Sequence, residues 1–150
     1  MTETVALAPV VKSVHVCCGI ERAFDVFTAG IGSWWPTEQF SIHGEQTAEV
    51  VWEQRPDGEV YELSSSGEKA HWARVLAWEP PTRLVIAWRV NPETEAPTEV
   101  EVRFTAEAGG TRVVLEHRHW ERSGADAADR RVRYEKGWET VLGGYVAGFE

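Results

Sequence analysis

The chain has 150 residues, of which 43% are hydrophobic and 26% charged, and its formal net charge at neutral pH is −9. This length fits one domain with a buried core, and the acidic balance argues against binding to nucleic acid or to an anionic membrane surface. Eight tryptophans, against five phenylalanines and one methionine, indicate an interior that is either thick or hollow, because large rings fill wide spaces.

The first third of the chain predicts a strand followed by a short helix. Residues 10–18 are rich in β-branched side chains and predict the strand, which ends at Gly19. Residues 21–28 have apolar side chains at helical spacing, so a short helix follows. The Trp34-Trp35-Pro36 corner comes next, and residues 37–46 are polar and predict a loop.

The two cysteines, Cys17 and Cys18, are adjacent in the first predicted strand. Neighbouring strand residues point to opposite faces, so a bond between them is not expected. We therefore expect a reduced, cytoplasmic setting. No signal-peptide pattern opens the chain, and no segment approaches the roughly 20 apolar residues that span a bilayer.

Six further strands are predicted between turn signals, at residues 48–53, 59–63, 69–78, 83–90, 98–106 and 111–120. Alternation is clearest in the last two, where one face carries Val100, Val102 and Phe104, and then Val113, Leu115, His117 and His119. Hairpin-length connections make this sheet antiparallel. The alternation is typical of a sheet with one covered face and one wet face.

A long helix is predicted over residues 127–149, with Asp126 as its N-cap. Its apolar stripe consists of Tyr134, Trp138, Val141, Leu142, Tyr145 and Phe149. Four glycines each cost about 1 kcal/mol of helix propensity relative to alanine, so tertiary packing must hold this helix. One helix cannot fill the concavity of a wide curved sheet, and a cavity between the two is therefore expected.

Five segments stand in a distinctive order: ERAFDVF at 21–27, WWP at 34–36, WEPPTRL at 78–84, GTRVVLEH at 110–117 and GW at 137–138. In this order and spacing they resemble the activator of heat-shock protein 90 ATPase homologue family, over residues 11–149. That family belongs to the START-like, helix-grip superfamily, which also holds birch-pollen-allergen-like proteins and polyketide cyclases. Relatives usually have Trp-Gly where this chain has Trp72-Ala73, a departure in the strand that would line the pocket.

The resemblance implies an α+β helix-grip fold. A curved antiparallel sheet would wrap around the long C-terminal helix, with two short helical segments after strand 1 and a hydrophobic pocket inside. Residues 1–150 are expected to form a single START-like domain with its core at about 11–149.

The predicted ligand site lies on the concave face of the sheet and on the stripe of the long helix. Strand alternation and the helical stripe place its main cavity against Trp88, His117 and Trp138. The full predicted lining is Trp35, Glu62, Trp72, Trp88, Val102, Leu115, His117, Trp138, Val141 and Tyr145.

Two polar features allow alternative interpretations. His117 and His119 could begin a metal site, but no third ligand is apparent, and we favour one polar lining group and one exposed residue at the strand end. Glu62 could be a buried acid or base, but alternation also allows Tyr61 and Leu63 inside with Glu62 in water, which we favour modestly. No metal site is predicted.

The leading hypothesis is a non-enzymatic protein that binds a small hydrophobic or amphipathic molecule, with His117 and Glu62 orienting its polar atoms. A polyketide-cyclase-type enzyme using the same cavity is the first alternative, and it would need a buried acid–base pair. A protein-interaction module like the co-chaperones is the second, by family analogy alone. No catalytic residue and no cofactor is predicted, and the sequence allows a homodimer.

Overall fold

A computed structural model describes residues 7–89 and 97–149 and has the predicted α+β helix-grip architecture. The described strands are β1 (Val10–Val16), β2 (Thr47–Trp52), β3 (Glu59–Ser64), β4 (Lys69–Glu79), β5 (Arg83–Trp88), β6 (Thr98–Glu107) and β7 (Gly110–Arg118). The α-helices are α1 (Ile20–Phe27), α2 (Thr37–Phe40) and α3 (Ala127–Ala147). Short 3₁₀ segments lie at Ile31–Ser33, Gly44–Gln46 and Trp120–Asp126.

The strands form one antiparallel sheet in the order β1-β7-β6-β5-β4-β3-β2. Each strand from β2 to β7 pairs with its neighbour in sequence, as hairpin-length connections require. The first strand closes the order by pairing with the last, with Val14 opposite Val113. The edges of the sheet are therefore β1 and β2, and the sheet curls around α3.

Helix α3 packs its apolar stripe against the sheet and against α1. Trp138, Val141, Leu142 and Tyr145 are buried, and the Tyr145 hydroxyl donates a 2.7 Å hydrogen bond to the Ala23 carbonyl. Asp126 occupies the predicted N-cap position, but its side chain makes no capping hydrogen bond. Helix α3 instead continues directly from the 3₁₀ segment Trp120–Asp126.

Three strands end two residues before their predicted ends, and the other strand ends agree with the prediction to within one residue. The first strand ends at Val16 rather than at residue 18. The fifth ends at Trp88, and Val90 lies outside the described residues. The last strand ends at Arg118, and His119 has a left-handed backbone with φ +67°. His117 and His119 therefore do not share a strand face.

The segment 37–46 contains the short helix α2 and a 3₁₀ turn rather than a plain loop. Helix α2 is the second of the two short α-helices that follow β1. The segment lies beside Trp35, whose Nε1–H donates a 3.0 Å hydrogen bond to the Phe40 carbonyl. It therefore packs back onto the tryptophan corner, where it forms one wall of a pocket.

Candidate functional site

A pocket of about 390 Å³ opens between α3 and residues 35–42. We call it the aromatic pocket, because five of its eleven lining residues are aromatic. It is lined by Trp35, Phe40, Ser41, Ile42, Trp88, Arg130, Arg133, Tyr134, Gly137, Trp138 and Val141. Phe40 and Ile42 are among the most exposed large apolar side chains of the described residues, at 36% and 46%.

The tryptophans of the pocket are fixed by one another. The ring centroids of Trp88 and Trp138 are 5.7 Å apart, and that of Trp35 lies 5.9 Å from Trp138. The Trp88 Nε1–H donates a 2.9 Å hydrogen bond to the Tyr134 hydroxyl oxygen. Because an indole N–H can only donate, the Tyr134 proton remains available to a ligand. Burial raises the pKa of Tyr134, so it is a neutral donor.

Glu62 anchors the wall that carries Phe40 and Ile42. Its carboxylate is fully buried and accepts hydrogen bonds from the Ile42 and His43 backbone N–H groups, each 2.7 Å long. It also accepts from Trp72 Nε1 at 2.6 Å, His43 Nδ1 at 2.7 Å and Thr47 Oγ1 at 3.2 Å. Burial acts to raise the pKa of Glu62, but these donors outweigh burial and lower it. Glu62 therefore holds segment 37–46 in place as a charged acceptor.

The interpretation of Glu62 as solvated is therefore wrong. In β3 the buried residues are Val60, Glu62 and Ser64, whereas Tyr61 and Leu63 are only partly buried. The sequence favoured the opposite orientation because Tyr61 and Leu63, which are large and apolar, were expected to face the core. A register shift between Val60 and Tyr61 in the pairing with β4 accompanies this arrangement.

His117 faces inward as predicted, but it does not line the aromatic pocket. Its Nε2 lies 2.7 Å from Thr98 Oγ1, and Trp138 Nε1–H donates to its Nδ1 at 3.0 Å. Its ring centroid is 4.1 Å from that of Trp120. Burial lowers the pKa of His117 to about 3, so the ring is neutral near pH 7. Both ring nitrogens have partners, which leaves neither free for a ligand or a proton transfer.

Of the ten predicted lining residues, the structure brings Trp35, Trp88, Trp138 and Val141 together at the aromatic pocket. The other six are buried in the core beside or behind it: Glu62, Trp72, Val102, Leu115, His117 and Tyr145. Rings fill much of the space that we expected to be empty. The Trp72 centroid, for example, lies 4.8 Å from Trp35 and 6.0 Å from Trp88. The opening lies at one end of the sheet–helix interface rather than along it.

Sequence reasoning missed Phe40, Ser41 and Ile42, because residues 37–46 were expected to be a loop. Two apolar side chains in an otherwise polar stretch were the available signal. It also missed Arg130 and Arg133, which flank the apolar stripe of α3 one helical turn apart. The helical spacing of charged residues along α3 could not show which of them line a pocket and which face solvent.

A second pocket, of about 610 Å³, runs along the edge strand β2. Small and polar residues dominate its wall, which is formed by Ala29, Gly30, Gly32, Ser33, Thr37 and residues 47–52 and 54. We call it the β2 pocket. Although it is larger, it has only one aromatic side chain, Trp52, and it lies outside the grip between sheet and helix.

Glu101 is a second buried carboxylate, and it lies on the outer face of the sheet. Burial acts to raise its pKa, but hydrogen bonds from Arg103, Arg118 and Arg83 lower it to about 2. The three N···O distances are 2.9, 2.5 and 2.6 Å. This cluster is an ion network away from both pockets. Among residues 7–89 and 97–149, no group of three or more His, Cys, Asp or Glu side chains could hold a metal ion.

No described helix is both long enough and apolar enough to cross a membrane.

Comparisons with known proteins agree with this fold. The family model described as "Activator of Hsp90 ATPase homolog 1-like protein" matches residues 18–146. A comparison with curated proteins gave no match.

Three solved structures represent the similar folds. An anthrahydroquino-gamma-pyrone synthase, Txn09, complexed with SUM, has 32% identity and a TM-score of 0.60, over 83% of this chain and 84% of that chain. CalC, a self-sacrificing resistance protein from Micromonospora echinospora, has 30% identity and a TM-score of 0.69, over 95% and 94%. The Aha1 dimer from Colwellia psychrerythraea has 15% identity and a TM-score of 0.67, over 96% and 97%, and shows the fold alone.

Proposed function

The chain belongs to the Activator of Hsp90 ATPase homolog 1-like family, and on that premise we propose that it binds a planar aromatic small molecule in the aromatic pocket without transforming it. One observation carries the proposal. Five of the eleven residues that line the pocket are aromatic, while Glu62 and His117, two buried polar side chains that bond to its lining residues, already have partners for their hydrogen-bonding atoms.

Size and surface chemistry support an aromatic ligand. A volume of about 390 Å³ falls within the range of about 300–1,000 Å³ that is typical of small-molecule sites. Trp35, Trp88 and Trp138 offer ring faces and edges, against which a flat ring system gains both apolar burial and aromatic contact. The name of the 32% identical relative, a synthase of an anthrahydroquino-gamma-pyrone, concerns a fused-ring compound of this kind.

Binding is favoured over catalysis by the state of the buried groups. General acid–base chemistry needs a group of suitable pKa within hydrogen-bond reach of the ligand. Burial holds His117 neutral with a pKa of about 3, and its nitrogens are bonded to Thr98 and Trp138. Both carboxylate oxygens of Glu62 accept hydrogen bonds from the backbone N–H groups of Ile42 and His43. Neither residue lines the pocket.

The test is a titration with a neutral planar probe, anthraquinone-2-carboxamide, followed by tryptophan quenching and calorimetry. We expect saturable 1:1 binding that raises the melting temperature by mass action. Trp88→Phe should weaken binding about three- to tenfold, because it removes part of a stacking face. Trp52→Phe is the matched control, since Trp52 lines only the β2 pocket. Absence of binding, or weakening by Trp52→Phe alone, would contradict the proposal.

A second candidate, a ring-closing enzyme, is favoured by the identity to a synthase and by the Tyr134 hydroxyl at the pocket. Its test is the dehydrative closure of 1-(2-hydroxyphenyl)butane-1,3-dione to 2-methylchromone, a benzo-γ-pyrone, with loss of one water. We expect the rate to equal that in buffer. Acceleration by the protein that disappears in Tyr134→Phe would favour the enzyme instead.

A further inference from the structure

We propose that the ligand carries an anionic head group, a carboxylate in the simplest case, which Arg130 and Arg133 bind at the wall of the aromatic pocket. The inference rests on the proposed function and deepens it by naming the charge of the ligand.

The two arginines are the only charged side chains of the pocket wall in the described part of the chain. They stand three residues apart on α3, and so on one helical face. Tyr134, whose hydroxyl proton is available, follows Arg133 directly. The polar wall on α3 thus consists of donors: two guanidinium groups and one phenol. A carboxylate, which only accepts hydrogen bonds, complements such a wall.

Neither arginine has an ion-pair partner among residues 7–89 and 97–149. The Arg130 Nε–H is buried and has no acceptor there. Buried donors without an acceptor are rare in folded proteins and indicate a missing partner. An anion in the pocket would supply that partner after a small rotation of the side chain.

A shortage of acidic residues does not explain these unpaired charges, because the chain has 24 acidic residues and 15 lysines and arginines. Arg131, on the same helical turn, bonds to Glu135 at 3.3 Å and to the Ala8 and Pro9 carbonyls. Arg118, on the sheet, bonds to three glutamates. The pair at the pocket differs from these arginines in having no carboxylate partner within the part of the chain that the structure describes.

Charge repulsion supports the same conclusion. Like charges one turn apart on a helix repel and destabilise it, and an anion between them removes that cost. Guanidinium groups also bind carboxylates through paired, parallel hydrogen bonds. No carboxylate side chain lines the pocket in the described residues, so no anionic group of the wall would pair with a cationic ligand, and both arginines would repel it.

The experiment compares two probes of nearly the same shape, anthraquinone-2-carboxylate and anthraquinone-2-carboxamide, by calorimetry at low ionic strength. We expect the wild-type chain to bind the carboxylate about tenfold more tightly, the value of one charge-assisted hydrogen bond. The preference should shrink in 0.5 M NaCl. It should vanish in Arg130→Gln/Arg133→Gln and persist in Lys136→Gln, which removes a charge from the same helix outside the pocket.

Each result decides between the proposals. Equal affinity for both probes overturns the anionic head group and leaves the aromatic site standing. Failure of both probes to bind overturns the two proposals together. A carboxylate preference that survives in the double variant overturns the assignment to these arginines. If the double variant does not fold, Arg133→Gln supplies the same test, because Arg133 is exposed.

Discussion

His117 has a protonation state that follows from its surroundings atom by atom. Because Trp138 Nε1–H donates to Nδ1, the neutral ring carries its proton on Nε2, which donates to Thr98 Oγ1. A second proton would have to enter on Nδ1, where the Trp138 donor already lies. Charging the ring would thus cost both desolvation and a hydrogen bond, in agreement with a pKa of about 3.

The pKa of His117 differs between the folded and the unfolded chain, and this difference makes the free energy of unfolding depend on pH. The unfolded chain binds the His117 proton near pH 6.5, whereas the folded chain binds it only near pH 3. The contribution of neutral His117 to the free energy of unfolding is therefore fully present above about pH 6.5. It is lost as the pH falls towards 3, by up to about 1.4 kcal/mol per pH unit. Urea unfolding between pH 7.5 and 5 should show this slope, and His117→Gln should reduce it.

The window above pH 5 isolates this histidine from the buried carboxylates. The pKa values of Glu62 and Glu101 are lowered, so their contribution is lost only as the pH falls below about 4.5. His119→Gln is the control, because its side chain is 38% exposed. An unchanged slope in His117→Gln, or titration of its ring between pH 5 and 7 by NMR, would show that the ring is not held neutral.

Sequence alone could place His117 on the inner face but could not supply its partners. Strand alternation set the direction of the side chain. Thr98 and Trp138 come from β6 and α3, 19 and 21 residues away along the chain. For Glu62, alternation allowed both faces, and the deciding donors, the Ile42 and His43 backbone amides and Trp72, come from two other segments.

Among the elements, α3 carries glycines with opposite structural roles. A Cβ on Gly144 would lie 2.8 Å from the Trp34 carbonyl oxygen, so this glycine lets the helix approach the tryptophan corner. A Cβ on Gly143 would meet no heavy atom within 4 Å. The two residues are adjacent in the same helix, and they differ in what they face.

We predict effects of opposite sign for these two glycines. Gly143→Ala should raise the free energy of unfolding by about 0.5–1 kcal/mol, because alanine has the higher helix propensity. Gly144→Ala gains the same propensity but must push α3 away from a backbone oxygen, and we expect a net loss of stability. Thermal and urea unfolding of both variants measure the difference. Stabilisation by both would show that the approach to Trp34 is not tight.

The regular elements were predictable, and the short ones were not. Alternation in β6 and β7 and the stripe of α3 set their ends to within about two residues, because each has a covered face that fixes its period. Helix α2 has four residues, too few for a periodic signal. Contacts with Glu62 and Trp35 hold its segment in place, so its conformation depends on tertiary structure.

At the scale of the molecule, eight tryptophans left open whether the interior is filled or hollow. The structure combines both: rings fill the middle of the grip, and a pocket remains at one end. Composition could not decide this, because the outcome depends on which rings meet between the sheet and α3. Four segments of the chain supply these rings and bring them together when the sheet curls: Trp35 before α2, Trp72 in β4, Trp88 in β5 and Trp138 in α3.

The molecule offers two openings, and hydrogen exchange can tell which one is used. A ligand in the aromatic pocket covers Phe40 and Ile42 on one side and residues 130–141 on the other. The Ile42 and His43 amides exchange only when their hydrogen bonds to Glu62 break. A ligand that packs against Phe40 and Ile42 should make this local opening rarer. We therefore predict slower exchange in residues 40–43 and 130–141 with anthraquinone-2-carboxamide bound.

The β2 pocket supplies the internal control for that measurement. All its lining residues except Thr37 fall within residues 29–33 and 47–54, and no residue of these two ranges lines the aromatic pocket. Their exchange should stay unchanged when the probe binds, apart from the small uniform slowing that ligand stabilisation gives to globally exchanging amides. Selective protection of residues 47–54 would move the site to the edge strand. The ring-walled pocket would then be a packing defect of the tryptophan core, and its arginines would have no ligand to hold.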